Sequence, residues 1–137
     1  MQKEFTKQAE RVLETAKLVA KRMKHPYVGT EHVLYALCKE FMGVAGQVLE
    51  ASKVDSTKIL NLIQELTVSS DSMKKGRLEF SPRLEFMLDN ALLDAVRLKS
   101  ERIGTEHLLL AMIKDGDCVA TRILNMMNVD LAKVADE

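Results

Sequence analysis

Apolar residues recur along the chain at the three- and four-residue spacings that place side chains on one face of a helix. The first such run extends from Phe5 to Met23 and includes Ala9, Val12, Leu13, Ala16, Val19 and Ala20. Thr6 stands where a hydroxyl can cap the first backbone N–H groups. Pro26 is expected to end this helix, because the residue before a proline is pushed out of the helical conformation.

Three further helices follow from the same pattern. A second helix is predicted to start at Thr30 and to be apolar on several sides over residues 33–38, which predicts burial between neighbours. Gly43 is expected to break it, and residues 44–52 form a short third helix. Asp55 is expected to cap a fourth helix, whose inward positions are Ile59, Leu60, Leu62, Ile63 and Leu66.

The chain then repeats itself. A shift of 75 residues aligns Phe5–Lys58 with Phe80–Lys133 without a gap, and more than a third of the aligned positions are identical. The longest identical run is Gly-Thr-Glu-His, at 29–32 and again at 104–107. The second set of helix starts is Ser81, followed by Pro82 at the first helical position, then Thr105, Cys118 and Asp130. A period of this length indicates one duplicated supersecondary unit.

The two copies are predicted to form one all-α domain. Repeat 1 covers about 5–68, a polar linker about 69–79, and repeat 2 about 80–137. One repeat alone would expose too much apolar surface, so we expect two pseudo-twofold-related four-helix repeats, about eight helices in all, to share one core. No alternating β-branched run is present, so strands are not expected.

Composition excludes several classes of function. The 20 basic and 20 acidic residues give a formal net charge of zero, which argues against nucleic acid as a partner. No apolar run approaches the roughly 18–20 residues of a membrane span, and the N-terminus lacks a signal-peptide core. Cys38 and Cys118 fall within helical apolar patterns, so we expect buried, reduced thiols. These features predict a cytoplasmic protein.

No catalytic motif stands out. Phosphate-binding glycine loops, a nucleophile elbow, His-Glu-x-x-His and Cys-x-x-Cys are all absent, which argues against an enzyme and against a cofactor. Glu31-His32 and Glu106-His107 are adjacent pairs, and adjacent helical residues point about 100° apart, so neither pair converges on an ion by itself. We therefore expect no metal site, and histidines that cap or pack.

The repeated motif has a structural interpretation. Gly29 would permit an unusual backbone turn, Thr30 would cap the second helix, and Glu31 would lie at the positive end of the helix dipole. Such a carboxylate stabilises a helix by roughly 0.3–1 kcal/mol. This role alone accounts for Glu31 and Glu106, because a duplication copies a structural motif as faithfully as a functional one.

The same residues carry a family resemblance. Phe-Thr at the first helix, Gly-Thr-Glu-His at the second and Val-Ala…Leu in the third resemble the duplicated Clp N-domain, the substrate-receiving module that precedes the ATPase rings of Clp unfoldases. Two copies of the motif in matching register look more like ClpC than like ClpA or ClpB. Members commonly carry Glu-Gly-Glu-Gly after the second helix. This chain has Glu40-Phe41-Met42-Gly43 and Asp115-Gly116-Asp117-Cys118 instead, which makes the first turn apolar.

The resemblance implies a docking function and names its residues. ClpC-type N-domains receive phosphoarginine-tagged proteins and MecA-type adaptors for the AAA+ rings of the parent chain. The motif glutamates, here Glu31 and Glu106, would hold one phosphoarginine pocket per half through charge-assisted hydrogen bonds. The phosphate side would be formed at the helix starts. The residues assigned to it are Thr6, Ser81, Thr30 and Thr105, with Lys7 and Arg83 alongside.

Two alternatives remain open. The first is a docking domain of ClpA or ClpB type that binds adaptors or unfolded chains without phosphoarginine, through apolar surface near Phe5 and Phe80. Those two side chains fit a core position equally well. The second is a helical enzyme or metal protein, which the absent motifs disfavour. The residues before the motif differ between copies, His25-Pro26-Tyr27 against Ser100-Glu101-Arg102, so the two sites need not be equal.

Overall fold

The computed structural model of the chain describes residues 4–40, 43–66, 79–116 and 118–129. Seven helices lie in these ranges, which confirms the all-helical prediction. They are α1 (Lys7–Arg22), α2 (Thr30–Lys39), α3 (Val44–Ala51), α4 (Ser56–Leu66), α5 (Pro82–Arg97), α6 (Thr105–Lys114) and α7 (Val119–Met126). The helix expected from Asp130 lies outside the described residues, as does nearly all of the linker expected at 69–79.

The helix starts follow the predicted caps. The Thr6 hydroxyl accepts the Ala9 N–H at 3.2 Å at the start of α1. Ser81 accepts the Leu84 N–H at 3.1 Å at the start of α5. A carboxylate oxygen of Asp55 accepts the Thr57 N–H at 2.9 Å. Each bond satisfies a first-turn donor that has no partner within its helix.

The ends of α1 and α5 correct the expectation for Pro26. Helix α1 already ends at Arg22, and Lys24 adopts a left-handed conformation with φ 58°. The His25 N–H then returns to the Ala20 carbonyl at 2.9 Å, which closes the helix end. Helix α5 ends at Arg97 and is followed by the same left-handed turn at Lys99, φ 59°, although the second copy has no proline there. The left-handed turn therefore ends the helix, and Pro26 is not its cause.

Helix α2 is the centre of the domain. It contacts each of the other six described helices. Its residues from Thr30 to Leu34, with Ala36 and Leu37, are buried, which confirms the burial predicted from its apolar pattern. Both cysteines are free thiols. Cys118 is buried and Cys38 is partly buried, and burial raises the pKa of Cys38 to about 12. No helix in the described ranges is long and apolar enough to cross a membrane.

The two halves exchange their leading segments. Phe5, ahead of α1, pairs with Ile103 of the second half, and Phe80, ahead of α5, pairs with Val28 of the first half. These are isolated bridges and not strands. Their hydrogen bonds are Thr6 N–H to Ile103 O (2.9 Å), Ile103 N–H to Glu4 O (2.7 Å), Val28 N–H to Glu79 O (3.0 Å) and Ser81 N–H to Val28 O (2.8 Å).

The motif threonines also act across the halves. The Thr30 hydroxyl accepts the Ala120 N–H of α7 at 3.3 Å, and the Thr105 hydroxyl accepts the Ala45 N–H of α3 at 3.2 Å. The expectation that Thr30 caps α2 is therefore wrong, since Gly29 is the N-cap of that helix. Each threonine instead satisfies the first turn of the third helix of the opposite half.

Loss of one crossed cap should destabilise the whole domain. We expect Thr105→Val to lower the free energy of unfolding by about 1 kcal/mol, because the buried Ala45 N–H loses its acceptor. Urea unfolding followed by circular dichroism measures the change, and Thr105→Ser, which keeps the hydroxyl, is the control. Equal stability of the valine and serine variants would contradict a capping role for Thr105.

Candidate functional site

The glycine of the motif makes room for the glutamate. Gly29 has φ −107° and ψ 178°, an extended conformation open to any residue, so the unusual turn expected there is wrong. A Cβ added at Gly29 would instead overlap the carboxylate of Glu31, and one at Gly104 would overlap the carboxylate of Glu106. The glutamate folds back over the helix start, and only glycine leaves space for it.

The histidine of the motif closes the helix start. The Gly29 N–H donates to Nδ1 of His32 at 2.9 Å, and the Gly104 N–H donates to Nδ1 of His107 at 2.8 Å. These bonds confirm the prediction of capping histidines. Because Nδ1 accepts, the neutral His32 ring carries its proton on Nε2. Among the described residues, no three His, Cys, Asp or Glu side chains come together as a metal site would require.

A second histidine supports the first one, in one half only. Nε2 of His32 lies 2.7 Å from Nδ1 of His25, so the His32 Nε2–H donates to the His25 ring. In the other half Ser100 takes this place, with its Oγ 3.3 Å from Nε2 of His107. Burial and the neighbouring His25 lower the pKa of His32 to about 3. Burial also lowers the pKa of His25, so both rings are neutral near pH 7.

The two glutamates have different surroundings. Glu31 is only 2% exposed, whereas the side chain of Glu106 is 45% exposed. Burial raises the pKa of Glu31, and a hydrogen bond from its own backbone N–H works in the opposite direction. An ionised carboxylate in such a place costs folding free energy. The Glu31 carboxylate of the first motif is therefore buried, whereas the Glu106 carboxylate of the second motif is in contact with water.

Glu31 lies in a cleft of about 480 Å³ formed between the halves. Tyr27, Thr30 and Glu31 come from the first half, while Ser81 and Arg83 come from the start of α5 in the second. Val119, at the start of α7, adds to the wall. The exchanged leading segments therefore bring Ser81 of the second half into the same cleft as Glu31 of the first half.

The cleft offers complementary polar groups. Glu31 supplies hydrogen-bond acceptors, while the backbone N–H groups of Arg83 in α5 and Val119 in α7 lie in first turns and have no partner inside their helices. Arg83 adds a half-exposed guanidinium, whose Nη1 lies 3.4 Å from both carboxylate oxygens of Asp115. Such a site fits a ligand that combines N–H donors with an anionic group.

The remaining predicted residues lie nearer the second motif or the core. Thr6 is hydrogen-bonded through its backbone to Ile103, next to the Gly104–Glu106 motif. Phe5 and Phe80 are partly buried and pack against the core, although Phe80 also lines the cleft. The Lys17 Nζ lies 5.3 Å from the centroid of the Phe80 ring. Core packing therefore occupies much of both rings.

The surface also has a groove beside α5 that the sequence did not predict. Phe86 and Leu93 are 54% and 65% exposed on α5 and flank a groove of about 510 Å³. Asp94 is buried in this groove, where one of its oxygens accepts from Arg97 (2.9 Å) and Lys114 (3.0 Å). Its other oxygen is buried without a hydrogen-bond partner. A comparison of the two copies could have revealed this groove, because the first copy has the apolar Val19 where the second has the charged Asp94.

Comparison with known proteins matches the chain to a known family and finds relatives among ClpC proteins. Residues 4–127 match the family model of the Clp repeat (R) N-terminal domain. The negative regulator of genetic competence ClpC/MecB of Bacillus subtilis is 34% identical over 97% of the chain, and the ATP-binding subunit ClpC of Staphylococcus aureus is 32% identical over 94%. The chain spans 16% of the length of each of these relatives.

Solved structures share the fold. The N-terminal domain of ClpD from Arabidopsis thaliana superposes with a TM-score of 0.79 at 19% identity, covering 97% of this chain and 90% of that one. The N-terminal domain of Hsp104 from Candida albicans gives 0.81 at 14% identity, covering 98% and 88%. A ClpV N-domain in complex with a VipB peptide gives 0.76 at 19% identity, covering 96% and 82%.

The histidine pair should make the domain sensitive to acid. A histidine of the unfolded chain has a pKa near 6.5, whereas the pKa of folded His32 is about 3. The free energy of unfolding is therefore highest above pH 6.5 and decreases as the pH falls from 6.5 towards 3. The slope for one such group is at most about 1.4 kcal/mol per pH unit. His25→Ser, which copies Ser100, should flatten the loss. Urea unfolding across this pH range measures it, and an unchanged slope would contradict the pair's role.

Proposed function

The chain belongs to the Clp repeat (R) N-terminal domain family, and on this premise we propose that it docks substrates and adaptors for a ClpC-type unfoldase. In the proposed function the domain binds phosphoarginine-tagged proteins in the cytoplasm and delivers them to the Clp protease. It performs no catalysis itself, and ATP is hydrolysed by the AAA+ rings of the parent protein. The observation that carries the proposal is the meeting of Glu31 with the start of α5 in one cleft.

The chemistry of phosphoarginine matches the two sides of this cleft. Its guanidinium group keeps several N–H donors, which the Glu31 carboxylate accepts as charge-assisted hydrogen bonds. Its phosphate needs donors, and the first turn of α5 offers the Arg83 backbone N–H, the Ser81 hydroxyl and the Arg83 guanidinium. Phosphoserine has no comparable donors, and its phosphate would be repelled by the Glu31 carboxylate.

The burial of Glu31 supports a binding role. A carboxylate whose pKa is raised by burial costs the fold stability at neutral pH. Residues that stabilise the fold less well than alternatives of similar shape are typical of functional sites. Gly29 and Gly104 agree with this interpretation, because both leave the space that the carboxylates occupy.

The alternative function keeps docking and omits phosphoarginine. The exposed Phe86 and Leu93 favour it, because apolar surface beside polar groups suits contact with an adaptor or an unfolded chain. A ClpV N-domain has been solved with a VipB peptide, so one domain of this fold receives a peptide. Separate titrations with free phosphoarginine and with a MecA-type adaptor distinguish the two functions, because the alternative predicts binding of the adaptor alone.

Removal of both glutamates should abolish phosphoarginine binding. The double variant Glu31→Ala, Glu106→Ala loses the acceptors for the guanidinium group, and we expect no heat of binding in titration calorimetry with free phosphoarginine. The far-ultraviolet circular dichroism spectrum should stay helical, which excludes unfolding as the cause. Binding as tight as in the original chain would show that the proposed site is wrong.

Displacement of one carboxylate should weaken binding without removing it. Gly29→Ala places a methyl group where the Glu31 carboxylate lies, so we expect phosphoarginine affinity at this cleft to fall about tenfold, the loss of one charge-assisted hydrogen bond. The measurement uses Glu106→Ala protein, in which the Glu31 cleft alone remains.

Gly116→Ala is the matched control, because a Cβ there has no neighbour within 4 Å. It should leave the affinity unchanged. Equal affinities of the Gly29→Ala and Gly116→Ala variants would contradict the role given to Gly29.

A further inference from the structure

We propose that Tyr27 makes the Glu31 cleft selective for guanidinium groups, and that Arg102 at the matching position makes the Glu106 site the weaker of the two. This inference rests on the proposed function and assigns its specificity to a residue outside the Gly-Thr-Glu-His motif. It also predicts that the two halves of the domain, though duplicated, no longer bind the same ligand equally well.

Tyr27 is held at the wall of the cleft. It lines the cleft together with Glu31 and is 42% exposed, so part of its surface faces the open space. The next residue, Val28, is fixed by backbone bonds to Glu79 (3.0 Å) and to Ser81 (2.8 Å), which limits the movement of the segment. Burial and the charge of Glu31 raise the pKa of Tyr27, so its side chain stays an uncharged phenol.

An aromatic wall beside a carboxylate suits a planar cation. A guanidinium group donates hydrogen bonds in its own plane, so a carboxylate at its edge and an aromatic ring on its face can be used together. A rounder ammonium group lacks this flat face, and phosphoserine lacks the donors. Tyr27 and Glu31 thus recognise two different properties of the same group, and the start of α5 remains available for the phosphate.

The duplicated half lacks this combination. A shift of 75 residues places Arg102 where the first half has Tyr27, and Arg102 is exposed. An arginine there offers no aromatic face, and its positive charge competes with the ligand's guanidinium group for the Glu106 carboxylate. Glu106 is also 45% exposed, so water screens its charge. The Glu106 site therefore loses both the aromatic face and the shelter of the carboxylate.

The test uses protein with one glutamate at a time. In Glu106→Ala protein, calorimetry with phosphoarginine should give about tenfold weaker binding for Tyr27→Ala, within the range of a partly desolvated cation–aromatic contact. Tyr27→Phe keeps the aromatic ring and should keep the affinity. If the hydroxyl group or the folding of this segment were the cause of the loss, Tyr27→Phe would bind more weakly as well. In Glu31→Ala protein, Arg102→Tyr should strengthen binding several-fold.

Each outcome decides between the two claims. If Tyr27→Ala binds phosphoarginine as tightly as Tyr27→Phe, or if Arg102→Tyr brings no gain, this inference is overturned while the proposed function stands. If Glu106→Ala protein with intact Tyr27 binds no phosphoarginine, the assignment of selectivity to the Glu31 cleft is overturned as well. If the variant without either glutamate still binds phosphoarginine, the site assignment fails, and if the chain without substitutions binds none, the proposed function itself fails.

Discussion

The exchange of leading segments between the two halves is the constraint on which the site depends. Val28, just before the first motif, is bonded on both sides to the chain around Phe80. The same pairing joins Phe5 to Ile103. These contacts bring Ser81 and the start of α5 to Glu31, so neither half contains a complete cleft. The crossed bonds from Thr30 and Thr105 tie the same two regions together from the core side.

The four residues of the motif divide the work between folding and binding. Histidine closes the start of its own helix, and threonine caps a helix of the opposite half. Glycine leaves the space into which the carboxylate folds. The glutamate of the first copy, Glu31, costs folding free energy, because burial raises its pKa. Duplication preserved all four residues, while the segments before them changed from Tyr27 to Arg102 and from His25 to Ser100.

Much of the fold was predictable because its rules are local. The apolar spacing within a helix and the polar side chain at its start can both be recognised from a few neighbouring residues. The predictions of α1 to α4 and of the caps at Thr6, Ser81 and Asp55 were therefore confirmed. The end of α1 was misassigned because a left-handed lysine gives no sequence signal as strong as a proline.

The crossing of the halves was not predictable in this way. Thr30 and Ala120 are 90 residues apart, and periodicity carries no information about such a contact. Periodicity therefore indicates neither that both halves form the cleft nor that Tyr27 lines it. The differences between the copies carry the stronger signal: Tyr27 and Arg102 differ at exposed positions before the motifs, and His25 and Ser100 differ beside the motif histidines.

The central claim is that one ligand is held by both halves at once. Nuclear magnetic resonance of ¹⁵N-labelled chain, titrated with phosphoarginine, tests it directly. Backbone amide signals of Glu31 in α2 and Arg83 in α5 should shift together with the same affinity, since both line one cleft. Shifts confined to one half, with the start of α5 unaffected while the Glu31 signal moves, would contradict the account.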